Sequence, residues 1–166
     1  LKALKGPVLI VKGDAKKAHR RVPVRREDQG WQACKLRQGT VWLNRCGTFG
    51  VGSAASWWSR LCGGVSRLVM YIILREEAWQ LVFADDSLWA TAGRELVLNS
   101  LLMIFVHVLC GMPFTWQKFA GGHKMDWIGF QLDYKRFAVG ISEARSRWLE
   151  VWLRDVLAAG AVRVQE

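Results

Sequence analysis

The stretch Gln80-Leu81-Val82-Phe83-Ala84-Asp85-Asp86-Ser87-Leu88-Trp89-Ala90 decides the fold. Two apolar runs flank a pair of acids, which reads as a strand over Gln80 to Ala84, a tight turn at Asp85-Asp86, and a strand over Ser87 to Ala90. Adjacent carboxylates repel one another and gain little from a turn beyond local hydrogen bonds. Aspartate is a common turn residue, so a plain hairpin turn accounts for the dipeptide. Taken alone the dipeptide is weak evidence for the other account, a divalent cation, although Mg²⁺ takes one or two carboxylates together with substrate phosphates.

Upstream, Val8 to Val11 is a short strand running into Lys12-Gly13-Asp14. Trp31 to Leu36 and Thr40 to Leu43 read as a hairpin across Arg37-Gln38-Gly39. Ser53 is a plausible N-cap for a helix to about Leu74, with Ala54, Trp57, Trp58, Leu61, Val65, Leu68, Val69 and Ile72 on one apolar face. Downstream, Gly93 to Cys110 is an apolar helix stopped by Gly111 and Pro113. Phe114 to Trp116 reads as a short strand, and Met125 to Leu132 with Phe137 to Ile141 as a hairpin turning at residues 133–136. Ser142 caps a last helix to about Ala159, where Trp148, Trp152 and Val156 recur every fourth residue. This order predicts an α+β fold, an antiparallel sheet with helices on one face. No Pro/Gly/Ser-rich linker divides the 166 residues, so one domain is expected.

The net charge is +10 and uneven. Residues 1–45 hold twelve Lys/Arg against three acids, whereas the remainder is nearly balanced. A basic first quarter suits nucleic acid or another anionic surface; a solvated basic face without a partner is the plainer alternative. Cys34, Cys46, Cys62 and Cys110 show no zinc-like spacing, so they read as buried free thiols in a reducing compartment. The opening Leu1-Lys2-Ala3-Leu4-Lys5-Gly6 lacks the apolar region and cleavage site of a secretory signal, so secretion is not expected. Leu96 to Met112 is 17 residues long and contains Asn99, Ser100 and His107, which favours a helix buried on most sides of a domain over a membrane span. The spacing of most of the ten tryptophans places them in the core or in buried interfaces.

A second acid changes the weight of the first pair. Asp14 ends an apolar strand. Strand-end acids far apart in sequence meet on neighbouring strands of one sheet, which supplies the shared ligands of a two-metal site. The alternative for Asp14 is a helix N-cap.

At this point the chain resembles the palm of reverse transcriptases. Asp14 followed by Ala18-His19 is similar to the first palm motif, an Asp followed by an Ala-aromatic pair, and Arg21 to Asp28 resembles its continuation. Phe49 to Trp58 resembles the second motif, with Ala55 in place of the usual proline and bulkier Trp57 and Trp58. Phe83-Ala84-Asp85-Asp86 looks like the metal-binding Tyr/Phe-x-Asp-Asp. Phe114 to Lys118 resembles the motif that follows the apolar helix, and Trp127 to Asp133 the primer-grip hairpin. The ordered set covers about residues 8–150.

The resemblance implies a ferredoxin-like polymerase palm over 1–141 with a short fingers insertion around 20–48. A thumb-like helical region begins over 142–166. The implied reaction is RNA-templated DNA synthesis with RNA template, DNA primer and dNTP, away from any membrane, in nucleus or cytoplasm. Asp14 and Asp85 would hold two Mg²⁺ ions, with Mn²⁺ as the alternative, and Asp86 would support them. Lys118 would protonate the leaving pyrophosphate, or is simply an exposed lysine after a strand. His19 would stand as the gate against a ribose 2′-hydroxyl, or is a surface histidine. Phe49 and Gly50 would line the nucleotide and template pocket, and Trp127, Gly129 and Gln131 would form the primer grip. Missing fingers and thumb segments would belong to a longer parent polyprotein. A catalytically dead retroelement remnant that binds nucleic acid through its basic face is the rival reading. A nucleotidyl cyclase of similar palm is less compatible with Lys118 and the primer-grip motif.

Overall fold

The computed structural model describes residues 6–48, 50–73 and 78–160. They cluster into two compact units, one ending at Gly122 and one beginning at His123.

The first unit is built on an antiparallel sheet. Its strands are β1 (Val8–Asp14), β4 (Ala78–Phe83), β5 (Asp86–Ala92) and β6 (Ala120–Gly122), in the order β4-β5-β1-β6. Strands β2 (Ala33–Arg37) and β3 (Thr40–Leu43) form a separate hairpin whose every residue is exposed. Helix α1 spans Gly52–Ile73 and helix α2 spans Leu96–Leu109. Both pack on the same face of the sheet, where Trp58, Cys62 and Val69 of α1 and Met103 and Val106 of α2 share a core with Trp89. The expected α+β architecture, an antiparallel sheet with helices, is therefore the observed one.

Alternation along β5 sends Trp89 and Thr91 toward the helices. The Thr91 hydroxyl lies 2.7 Å from the Ser100 hydroxyl of α2, and the Trp89 ring meets His107 of α2 edge-on. Ile10, Leu88 and Ala90 point to the opposite face and are also buried. Asp14 and Asp86 belong to that second face, at the end of the β1–β5 ladder.

Several expectations need correction. Trp31 belongs to a 3₁₀ turn, so the hairpin strand begins at Ala33. Helix α1 begins at Gly52, so Ser53 lies inside it and does not cap it; Leu74 lies outside the described residues. Phe114 to Trp116 is not a strand: Phe114 makes a single bridge to Ala15, and Trp116–Lys118 is a 3₁₀ turn.

Helix α2 is buried on one side only, and in an unexpected sense. Asn99, Ser100, Met103, Val106 and His107 face inward, while Leu98, Leu101, Leu102, Phe105 and Leu109 are exposed. Polar partners on the sheet, Thr91 for Ser100 and Gln80 for His107, draw the polar side in. No helix among the described residues is long and apolar enough to cross a membrane. Of the tryptophans only Trp58 and Trp89 are fully buried, because the outer helix faces and the β2–β3 hairpin are uncovered. Cys62 alone among the cysteines is buried; Cys34 and Cys110 are exposed.

The second unit contains β7 (Lys124–Trp127), β8 (Phe130–Asp133), β9 (Ala138–Ile141) and α3 (Glu143–Ala159). The run Met125 to Leu132 is thus two strands, reversed at Ile128-Gly129, where both φ angles are positive (44° and 88°). That pattern is the two-residue hairpin turn whose twist matches the strands, and glycine serves its second position. Ser142 caps α3 as expected, its hydroxyl accepting from the Arg145 N–H. Gly160 ends the helix in the left-handed conformation, φ 65°.

Candidate active site

The carboxylates of the first unit are gathered by backbone register. Asp14 and Asp86 are direct partners across β1 and β5, so both side chains rise from the same face. Phe83 pairs with Asp86, which leaves Ala84-Asp85 as a two-residue turn. Ala84 takes φ 53°, the positive angle that such a turn requires. The turn is held at two further points. The Ala15 N–H donates to the Asp85 carbonyl at 2.8 Å, and the indole N–H of Trp58 donates to the Ala84 carbonyl at 2.8 Å.

Lys118 reaches the same place from a distant part of the chain. Its ammonium lies 2.7 Å from Asp14 Oδ1. The Asp14 side chain is largely buried, at 12% exposure, whereas Lys118 is 62% exposed. The segment that carries Lys118 is docked beside β1. The Thr115 N–H donates to the Asp14 carbonyl at 2.9 Å, the Lys16 N–H to Pro113 at 2.7 Å, and the Lys118 N–H to Thr115 at 2.9 Å. Aromatic rings clamp it: Phe119 stacks on Trp116 at 4.9 Å and on Trp89 at 5.9 Å, and meets Phe114 edge-on at 5.2 Å.

Electrostatics records the crowding. Burial, then the neighbouring Asp85 and Asp14, push the Asp86 carboxyl above its usual range, against the opposing pull of Lys118 and Lys12. The hydrogen bond and charge of Asp14, with smaller help from Asp85 and Asp86, hold Lys118 above the ordinary lysine value. The site is a cluster of hard oxygen donors whose mutual repulsion a cation relieves, which fits Mg²⁺ chemically. Among the described residues, no three Asp, Glu, His or Cys side chains already stand close enough together to enclose an ion.

The structure thus brings Asp14, Asp85, Asp86 and Lys118 together. His19 lies in a 3₁₀ turn (Ala18–Arg21), partly buried, its carbonyl accepting from the Val22 N–H. Gly50 is exposed with φ 86°, and Phe49 lies outside the described residues. Trp127, Gly129 and Gln131 belong to the β7–β8 hairpin of the second unit. There the Arg145 guanidinium donates to the Gly129 carbonyl at 2.7 Å.

Comparison with solved structures agrees with this architecture. The chain is similar to the foamy viral protease-reverse transcriptase in complex with an RNA/DNA hybrid, with TM-score 0.66 and 13% identity over 82% of this chain and 17% of that one. It is similar to apo telomerase from Candida tropicalis, truncated from the C-terminal domain, at TM-score 0.59 and 12% identity, over 82% of this chain and 36% of that one. The foamy viral enzyme in complex with dsDNA gives TM-score 0.58 at 14% identity, over 82% and 27%. The fold is that of reverse transcriptase and telomerase polymerase regions. What is shared at this identity is the fold, and the chain spans well under half of each of those chains. No protein-family model and no curated protein matches the sequence.

Two residues of this reverse-transcriptase-like fold escape a reading of motifs. Trp58 looks like one apolar position among several on α1, yet its N–H holds the acidic turn. Gly13 looks like a spacer before Asp14. A Cβ placed there would lie 2.7 Å from Phe119 and 2.9 Å from Trp89, so only glycine lets the aromatic clamp close on β1. Its position one residue before an acid at a strand end was the available signal.

Proposed function

We propose that the chain is the catalytic palm of an RNA-directed DNA polymerase, adding deoxynucleotides to a primer 3′-hydroxyl on an RNA template. The observation that carries this reading is the register partnership of Asp14 with Asp86 at the end of the β1–β5 ladder, beside the turn that holds Asp85. Two Mg²⁺ ions, or Mn²⁺, would supply activation of the 3′-hydroxyl and neutralisation of the leaving pyrophosphate. Asp14 and Asp85 would hold them, with Asp86 in support. Lys118 is exposed and kept protonated by three carboxylates, the state a proton donor to pyrophosphate needs. His19 and Gly50, with Phe49, would face the nucleotide; Trp127, Gly129 and Gln131 would grip the primer. The palm would extend over 1–141 and a thumb-like region over 142–166, within a longer parent that supplies fingers and thumb. The foamy viral relatives were solved with an RNA/DNA hybrid and with dsDNA, which supports nucleic acid as the partner.

One observation favours the remnant reading: the cation already paired with Asp14 is a lysine of the chain itself. Primer extension on an RNA template with Mg²⁺ separates the two. The chain extended through its natural flanks is compared with the same chain carrying Asp85→Asn. Activity lost on substitution supports the polymerase. No activity, with RNA binding that falls steeply as salt rises, supports the remnant.

A further inference from the structure

The four-stranded sheet ends on β4, whose outer side no described strand covers. Phe83 and Asp86 flank a two-residue turn, so they exchange both ladder hydrogen bonds, and alternation gives Leu81 and Trp79 the same role. The N–H and C=O groups of Ala78, Gln80 and Val82 therefore point away from β5. Among the described residues no other backbone segment hydrogen-bonds to them. Exposed edges are ordinarily blunted by lysine, proline, a bulge or shortness. The far edge, β6, is three residues long, and the β2–β3 hairpin carries Lys35, Arg37 and a register shift. Strand β4 has none of these devices. Its six residues, Ala78-Trp79-Gln80-Leu81-Val82-Phe83, include no charge and no proline, and its register to β5 is unbroken. The helix above it leaves the edge open. The Gln80 amide donates to the Ser66 hydroxyl of α1 at 3.2 Å, which fixes the side of α1 that overlies β4. Gly63 and Ser59, three and seven residues back, share that side, and a Cβ at Gly63 would meet nothing within 4 Å.

We propose that β4 pairs antiparallel with β4 of a second copy of this chain, about a two-fold axis at Gln80. In that register Ala78 of each copy stands opposite Val82 of the other, and Gln80 opposite its own counterpart. Each of these pairs exchanges two hydrogen bonds, so every outward backbone group of the edge is satisfied. On the face away from α1, Trp79 of each copy meets Leu81 of the other. Both side chains are exposed in the single chain, and aromatic–aliphatic pairs of this kind stabilise antiparallel strands. On the helix side the small residues of α1 leave room for Val82 beside Ala78. The strand itself specifies a copy as its occupant. A two-fold axis sets a strand against its own charge, and like charges across a ladder repel; β4 carries no charge to repel. Six residues span about 20 Å, so the joined edges belong to the small class of interfaces, below about 1,200 Å² in total. The dimer is therefore reversible and dissociates on dilution. The pairing concerns assembly and stands apart from the polymerase reading.

The test uses the full chain. Sedimentation velocity from about 1 µM to about 1 mM should show monomer passing to dimer. Amide hydrogen exchange of the unsubstituted chain, resolved residue by residue at both ends of that range, should then alternate along β4. The N–H groups of Trp79, Leu81 and Phe83 are bonded to β5 and should be protected at both concentrations. Those of Gln80 and Val82 should gain protection, by about tenfold or more, only where the dimer forms. Val82→Pro removes an outward donor and leaves the β4–β5 ladder intact. It should weaken the dimer by about tenfold or more, because the two-fold axis removes the bond twice. A chain that stays monomeric throughout, or a dimer indifferent to Val82→Pro, would overturn the proposal. So would a dimer in which Gln80 and Val82 gain no protection, the result expected if copies met through the exposed side of α2 instead. Should Val82→Pro unfold the chain, the exchange pattern of the unsubstituted chain decides.

Discussion

Trp58 donates its indole N–H to the carbonyl of Ala84, 2.8 Å away, and so ties the buried face of α1 to the turn that presents Asp85 and Asp86. Trp58→Phe keeps a ring in the core but removes the donor. It should cost about 0.5–1.5 kcal/mol from the lost hydrogen bond, with a further packing cost. Amide hydrogen exchange in the Ala84–Asp86 turn should accelerate more than exchange in the α1 core. Uniform acceleration across the unit would show that Trp58 packs the core without holding the turn.

Lys118 serves both stability and chemistry. Its ammonium is open to solvent, but its partner Asp14 is largely buried beside two further carboxylates. Lys118→Met leaves that charge without its cation and should lower the thermal midpoint at pH 7. In the flank-extended chain it should slow nucleotide incorporation by about 10²–10⁴-fold, the usual worth of a positioned general acid. Lys118→Arg, which keeps the charge but gives up no proton, should remain slow. Recovery with arginine would reduce Lys118 to a positioning cation.

The elements of the fold were largely legible because each rests on a local rule. The Phe83–Asp86 hairpin, the cap at Ser142 and the apolar periodicity of α1 are read from neighbours in sequence. The juxtaposition of Asp14, Asp85, Asp86 and Lys118 was legible only through the order of motifs, since β1–β5 pairing spans most of the first unit. Helix α2 reads as buried on most sides but is buried on one, because composition shows an apolar helix and not which side the sheet will claim. Thr91 and Gln80, distant in sequence, decide that Ser100 and His107 turn inward. The Trp58–Ala84 bond and the space kept by Gly13 follow from tertiary packing, and no local pattern encodes them.

Gly13→Ala tests the aromatic clamp. The added methyl would meet Phe119 and Trp89 below 3.0 Å, and both rings are stacked against others. Overpacking of this kind costs about 1–3 kcal/mol. Urea melts should show that loss without change in the denaturant slope. Because Phe119 adjoins Lys118 in sequence, the chemical shift of the Lys118 side chain should move as well, whereas Gly63→Ala, which meets open space on α1, should leave that shift in place and raise stability by about 0.5–1 kcal/mol.

His107 should make the fold sensitive to mild acid. Its Nδ1 lies 2.7 Å from the Met103 carbonyl, which must accept, so Nδ1 carries the proton and Nε2 accepts from the Gln80 amide at 3.1 Å. Burial holds its pKa below the ordinary histidine value, outweighing the Met103 bond that raises it. The unfolded chain then binds a proton more readily than the folded one. Stability from this group is complete above the unfolded value, about 6.5, and is lost as pH falls from there toward the folded pKa. Thermal midpoints should fall between pH 7.5 and pH 5, and His107→Gln should flatten that slope; an unchanged slope would assign the acid sensitivity elsewhere.

Asp86 should trade stability for ion binding. Burial and the charges of Asp85 and Asp14 raise its pKa, so the folded state holds its proton more tightly than the unfolded chain does. A raised carboxyl stabilises the fold below its unfolded value and loses that contribution as pH rises through the folded value, leaving repulsion at neutral pH. Asp86→Asn removes that repulsion and should raise the thermal midpoint at pH 7. The gain should vanish below the ordinary aspartate value, about 3.9. Mg²⁺ acts in the opposite sense: an ion that binds only the folded chain stabilises it by mass action. Added Mg²⁺ should therefore raise the midpoint of the unsubstituted chain at pH 7, less so as Asp86 is protonated, and scarcely raise that of Asp85→Asn. If Mg²⁺ shifts the unsubstituted chain and Asp85→Asn alike, the carboxylate cluster is not where the ion binds, and the two-metal reading of this site is wrong.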